Sequence, residues 1–116
     1  MKTYEKLFTP IRIGNRVLKN RIEAAPMALS NLTPEAYFTE ENVAVFERKA
    51  KGGAAIVNMG ECRIDLKTGI SHKLCLALDD DGVLPSLLMA TDAIKRHNAI
   101  PAVELLHPGG RTNPLY

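Results

Sequence analysis

Three adjacent carboxylates, Asp79-Asp80-Asp81, are the densest chemical cluster in this sequence. A cation site needs ligands that converge, and three consecutive residues of a helix do not share one face. They precede Leu84-Pro85, where a helix is expected to begin. Negative charge there complements the positive end of the helix dipole. The acidic run therefore reads as a helix start, and no metal site is expected.

The three histidines differ in setting. His97 closes the basic run Lys95-Arg96-His97 and reads as a surface residue. His72 lies in a polar stretch with no visible partner. His107 follows the apolar run Ile100 to Leu106 and precedes Gly109-Gly110. That position makes it a candidate for substrate contact, with a plain loop role as the alternative. Cys62 and Cys75 form neither a CxxC motif nor a disulfide framework, so reduced thiols are expected. Cys62 is placed where a nucleophile could act, yet no base accompanies it, and a buried structural thiol is favoured. Gly52-Gly53 resembles a phosphate loop only superficially. It lacks a following Gly-Lys-Ser/Thr and lies after a helix, so it reads as a helix stop. Gly109-Gly110-Arg111 fits an anion loop and an ordinary loop equally well.

The elements that must position these residues are legible from periodicity. Ile11 and Ile13 alternate with Arg12, Gly14-Asn15 offers a primed turn, and Val17 resumes the pattern, which predicts a hairpin. Residues 21–27 read as a short strand, weakened at Pro26 because proline cannot donate to a ladder. Thr39 is an N-cap, Glu40 and Glu41 occupy the first turn, and Val43, Phe46 and Ala50 make a helical stripe. Residues 54–59 are apolar and β-branched at their centre, as in a strand covered on both faces, and Gly60-Glu61-Cys62 ends it. A polar excursion follows. The second helix has Pro85 in its first turn and a stripe of Leu84, Leu87, Leu88, Thr91 and Ile94, with Asn98 in the left-handed position after it. Residues 100–106 form the last strand.

The order is hairpin, β, α, β, α, β. Strands joined by helices make right-handed parallel crossovers. In parallel α/β folds the C-terminal strand ends form the ligand edge. Three segments meet there: Pro26-Met27-Ala28, Gly60-Glu61-Cys62, and Glu104 to His107. Topology alone thus nominates a site.

Composition sets the outer bounds. The chain has 116 residues, 46% hydrophobic and 24% charged, which excludes a disordered or collagen-like chain. Its net charge of +2 is scattered in both signs, with 5% aromatics and no Trp, so no nucleic-acid partner is expected. No apolar run approaches a membrane span and no signal peptide opens the chain, so a cytoplasmic protein without membrane contact is expected.

Several segments together resemble the Old Yellow Enzyme family of flavin-dependent ene-reductases, and within it the NADH:flavin oxidoreductase branch that includes dienoyl-CoA reductases. Leu7-Phe8-Thr9-Pro10, Ile13-Gly14 and Leu18-Lys19-Asn20-Arg21-Ile22 are similar to its N-terminal signature. Ala25-Pro26-Met27 resembles its first flavin loop, Ala50-Lys51-Gly52-Gly53-Ala54 its helix-to-strand junction, and Leu105-Leu106-His107-Pro108-Gly109 its third strand end. The set recurs in order over nearly the whole chain.

The resemblance implies the N-terminal part of a (β/α)₈ TIM barrel with an N-terminal β-hairpin. Residues 1–116 would be the hairpin and first three strands of a single FMN-binding barrel domain. A typical barrel needs about 250 residues. The resemblance further implies FMN held by Pro26, Met27, Ala28, Gly60, Cys62 and Glu104, with NADH or NADPH as electron donor and a small activated alkene, such as an enoate or enoyl-CoA, as acceptor. Catalytic residues would lie beyond residue 116, as would any iron–sulfur cluster or FAD domain, and a homo-oligomer is compatible. The piece alone would bind FMN poorly and catalyse nothing. Glu104 departs from the Gln usual at its position. Gln donates and accepts, whereas ionised Glu only accepts. The expectation is a lowered flavin potential, or a carboxyl that keeps its proton. A second departure is the extra residue before Arg111. Two other readings remain at this stage: another parallel α/β or barrel enzyme for a phosphorylated ligand, and a small non-catalytic module.

Overall fold

The computed structural model describes residues 3–113. Residues 1–2 and 114–116 lie outside the described residues. A 3₁₀ turn at Glu5–Phe8 leads into a hairpin of β1 (Ile11–Ile13) and β2 (Arg16–Leu18). The strands pair antiparallel, Ile11 opposite Leu18, and Gly14 takes the positive φ of 57° that the turn demands. Then follow β3 (Glu23–Ala24), α1 (Glu40–Lys51), β4 (Ile56–Arg63), β5 (Leu76–Ala77), α2 (Leu84–Lys95) and β6 (Ile100–Leu106).

β3, β5 and β6 all pair parallel with β4. β6 and β5 both pair with Cys62 and Arg63, and β6 and β3 both pair with Ile56 and Val57. A strand has two edges, so β6 runs along one edge of β4 while β3 and β5 share the other. Both helices cover one face. Phe46 and Ala50 of α1, Val57, Met59 and Cys62 of β4, and Ala90 and Ile94 of α2 form the core, joined by Leu76 and Val83. Phe38 meets Phe46 edge-on, 5.0 Å between ring centroids.

The α1 start follows its sequence. The Thr39 hydroxyl accepts from the Asn42 N–H, and the Asn42 carboxamide oxygen accepts from the Thr39 N–H. This is a capping box with Asn in the usual Glu/Gln position. Asn42 is buried because its amide also donates to Ser30 O at 2.8 Å, tying the helix to the preceding loop.

The structure corrects four expectations. The first strand pairs over only two residues, and its end meets β4 through a single antiparallel bridge, Met27 to Gly60. Pro26 lies between the ladder and that bridge, without an N–H to donate. β4 does not end at Gly60 but continues to Arg63. It does so because Met59 pairs with Val103 and Cys62 with Leu105, leaving Gly60 and Glu61 opposite Glu104 alone. This two-against-one bulge absorbs the glycine and lets pairing resume. The Gly60–Glu61 peptide within it is cis. β5 was not expected from the polar stretch that contains it; two residues carry too little pattern to be read. Finally, α2 buries Ala90, Ala93 and Ile94 and half-buries Leu87, with Val83 buried just before it, while Leu84 and Leu88 stand 56% and 60% exposed. Both sets have helical spacing, and the small Ala90 and Ala93 permit close approach to α1.

Candidate functional site

The bulge organises the site. Along β4, Val57, Met59 and Cys62 face the helices and are fully buried. A regular strand would alternate strictly and place Cys62 on the face of Gly60. The inserted residue instead turns Cys62 into the core and Glu61 out of it. The Cys62 side chain, expected at the cofactor edge, therefore lies in the core, and only its backbone remains on the strand end. Its thiol is pushed up to about 12, chiefly by burial and then by the charge of Glu104. It is a buried thiol, as the residue pattern favoured.

On the opposite, helix-free face, three segments converge tightly. A methyl group built on Gly60 would lie 2.9 Å from Pro26 Cβ and 3.0 Å from both Cβ and Oε2 of Glu104. Gly60 is thus required by space rather than by backbone angle. Glu104 is half-buried, its side chain points across Gly60, and its carboxylate has no hydrogen bond or ion pair with the described residues. Met27 is 48% exposed beside it in sequence to half-buried Pro26 and Ala28. One step back along β4, the Asn58 amide donates to Glu23 Oε1 at 3.2 Å, while its buried Oδ1 finds no partner. The helix-free face therefore carries polar groups in want of partners, as a ligand-facing surface does.

His107 is exposed and held at the rim. Its Nε2 lies 3.1 Å from the Thr68 hydroxyl, and its Nδ1 accepts the Gly109 N–H at 3.2 Å. The ring packs over Gly69, where a methyl group would come within 2.8 Å of it. The structure thus joins His107 to the loop after β4 rather than to Glu104. Gly109–Arg111 forms a 3₁₀ turn.

The acidic triplet diverges, as the sequence indicated. Asp79 accepts from Arg63 Nε at 3.1 Å and from the Leu66 N–H at 2.6 Å. Asp80 accepts the Tyr37 hydroxyl and the Gly82 N–H. The Tyr37 hydroxyl bond holds the Asp80 carboxyl below its ordinary value, and the same bond raises Tyr37. His97 is not a free surface residue: its Nε2 lies 3.1 Å from Glu47 and its carbonyl accepts Lys19 Nζ at 2.8 Å.

His72 also has partners that the sequence did not reveal. Its Nε2 lies 2.8 Å from Glu61 Oε2, and its Nδ1 accepts the Leu74 N–H at 3.1 Å. Cys75 Sγ lies 3.7 Å from the same Glu61 oxygen and 3.9 Å from His72 Nε2. The i, i+3 spacing of His72 and Cys75 was the available signal. Glu61 joins them only because the bulge turns it outward.

Comparison with known proteins agrees with this layout. The chain is 34% identical over 103 residues to a metal reductase of Desulforamulus reducens, covering 89% of this chain and 15% of that protein. It is 26% identical to an NADH oxidase of Thermoanaerobacter brockii, covering 98% of this chain and 18% of that one. The chain thus spans less than a fifth of the length of these two relatives. Among solved structures, a 2-naphthoyl-CoA reductase in complex with 2-naphthoyl-CoA superposes with a TM-score of 0.86 at 26% identity, over 96% of this chain and 17% of that one. The Old Yellow Enzyme from Pichia sp. AKU4542 superposes with a TM-score of 0.83 at 16% identity, over 94% of this chain and 28% of that one, and shares the fold. The parallel strands with their covering helices are part of a TIM barrel. With its family model matched from residue 6 to residue 115, this chain belongs to the NADH:flavin oxidoreductase / NADH oxidase family.

Proposed function

We propose that this chain is the N-terminal portion, hairpin and first three barrel strands, of an FMN-dependent NAD(P)H oxidoreductase of the ene-reductase type. The observation that carries this is the convergence of Pro26, Gly60 and Glu104 on the helix-free face at the C-terminal strand ends. Ligands of parallel α/β folds bind at that edge. Pro26, Met27 and Ala28 supply apolar surface for one face of a flat ring. Gly60 keeps the strand end clear of side-chain bulk, and the unpartnered Glu104 carboxylate would accept a hydrogen bond from an N–H of the ring system. The donor set therefore fits a flavin edge, with Glu104 offering acceptance but no donation.

When bound, FMN would supply hydride transfer between a nicotinamide and an activated alkene; the protein binds, orients and tunes it. Enoyl-CoA-type substrates are favoured by the likeness to the naphthoyl-CoA reductase. The family description favours NADH as donor. The two cysteines are free, which supports a cytoplasmic setting. Among the described residues, no helix is long and apolar enough to cross a membrane.

The test is purification of the full-length protein. Bound FMN, with NAD(P)H oxidation that depends on an added enoate or enoyl-CoA, is the expected result. A protein without flavin that instead binds a phosphorylated metabolite would overturn it.

A further inference from the structure

We propose that Glu61, His72 and Cys75 form a divalent-metal site of zinc type, built by the end of β4 and the loop that leads to β5. A carboxylate, an imidazole and a thiolate are the ligand classes of zinc, and three protein ligands with one open position is a recurrent coordination pattern. Ligand atoms around a tetrahedral ion bound at about 2.0–2.3 Å stand roughly 3.3–3.7 Å apart. Here Glu61 Oε2, His72 Nε2 and Cys75 Sγ are separated by 2.8, 3.7 and 3.9 Å. The three atoms need shifts of a few tenths of an ångström to about half an ångström to accept an ion between them.

The surroundings suit occupancy. Cys75 is fully buried, so its sulfur is held in place, whereas the side chains of His72 and Glu61 are 36% and 32% exposed and leave an approach from solvent. A cavity of about 330 Å³, lined by Glu61, Ser71, His72, Leu106, Pro108 and Arg111, adjoins the two exposed ligands. The fourth position can open into it, and Arg111 there suits an anionic fourth ligand. The sequence offered only the i, i+3 pair of His72 and Cys75, because Glu61 lies eleven residues from His72 and turns outward only through the bulge.

Without metal, His72 Nδ1 accepts the Leu74 N–H, so the ring proton sits on Nε2 and is donated to Glu61. Binding at Nε2 moves that proton to Nδ1, and the exposed Leu74 turns its N–H to water. The Cys75 thiol loses its proton to solvent, so one proton leaves per ion. The site does not rest on the flavin reading, and its occupancy is measured separately.

The experiment uses the full-length protein, stripped of metal with a chelator and titrated with Zn²⁺ by calorimetry. One zinc per chain is expected, with Co²⁺ giving a tetrahedral thiolate spectrum in difference against the Cys75→Ser variant. Cys75→Ser and His72→Gln should each weaken zinc binding by about tenfold or more. If Cys75→Ser does not fold, His72→Gln carries the comparison, since its ring is partly exposed. Thermal unfolding of each variant verifies folding. Zinc binding that is absent from the wild type, or equal in the wild type and His72→Gln, would overturn the proposal.

Discussion

The Glu104 carboxylate lies across Gly60, with its Oε2 only 3.0 Å from where a β-carbon would stand on that glycine. The relationship exists because the bulge sets two residues of β4 against this one residue of β6. A small residue and an unpartnered charge are thereby placed side by side on the face proposed to hold the flavin.

Gly60→Ala should disturb this contact. The obstructing atoms include Pro26 Cβ and Glu104 Cβ, which cannot swing away as a side-chain tip can. Overpacking of this kind costs about 1–3 kcal/mol. The expected outcome is a lower unfolding midpoint together with reduced flavin content in the purified full-length protein. Wild-type values of both would show that the segments have more slack than the distances indicate.

Glu104→Gln should raise the flavin midpoint potential. A carboxylate opposes the negative charge that a reduced flavin acquires, and the amide removes that opposition while adding a donor. A like charge partly screened by protein contributes about 1–3 kcal/mol, equivalent to about 20–65 mV for a two-electron couple. Spectroelectrochemical titration of both proteins checks it. Identical potentials and identical flavin affinities would sink the assignment of Glu104 to the cofactor.

Asp79→Ala should destabilise the chain strongly. Arg63 is buried at 8% exposure and its Nε is paired with Asp79. Removing the carboxylate leaves the buried guanidinium with its long bond to Cys75 O at 3.4 Å but no counter-charge at Nε, and leaves the Leu66 N–H without its acceptor. Breaking a fully buried pair from one side costs about 3–5 kcal/mol, lessened here because Asp79 is an exposed residue whose side chain alone is 18% exposed. Urea unfolding of the variant measures the loss; a change within about 0.5 kcal/mol, typical of surface positions, would contradict it.

Tyr37→Phe should alter the pH dependence of stability. The hydroxyl bond depresses Asp80 below 3.8, so its contribution is present above that value and fades as pH falls through the folded pKa. The same bond raises Tyr37 above 10.0, so that contribution is present below 10.0 and fades as pH rises through the folded value. Wild type and variant should therefore differ most between these limits and converge at either extreme. In the variant, the Asp80 carboxyl should titrate closer to its ordinary value by NMR. A depression of Asp80 that persists without the hydroxyl would assign it to the Gly82 N–H instead.

Much of the frame is legible in the sequence. The Gly14-Asn15 turn, the Thr39 cap, the Phe46–Ala50 stripe, the Gly52-Gly53 stop and the strand at residues 100–106 are set by contacts a few residues apart. Local preferences of backbone and side chain suffice for these, and the motif order sufficed for the family. The parallel order then placed Pro26, Gly60 and Glu104 at one edge. What sequence could not supply was decided by pairing between distant segments. The bulge opposite Glu104 is a register event between β4 and β6, and it alone determines that Cys62 enters the core while Glu61 turns toward His72 and Cys75. The choice of Val83, Leu87, Ala90 and Ile94 over Leu84 and Leu88 depended on the neighbouring helix, not on periodicity. Local pattern specifies which faces an element can offer; long-range packing specifies which face is used, because only the partner strand or helix can exclude water from it.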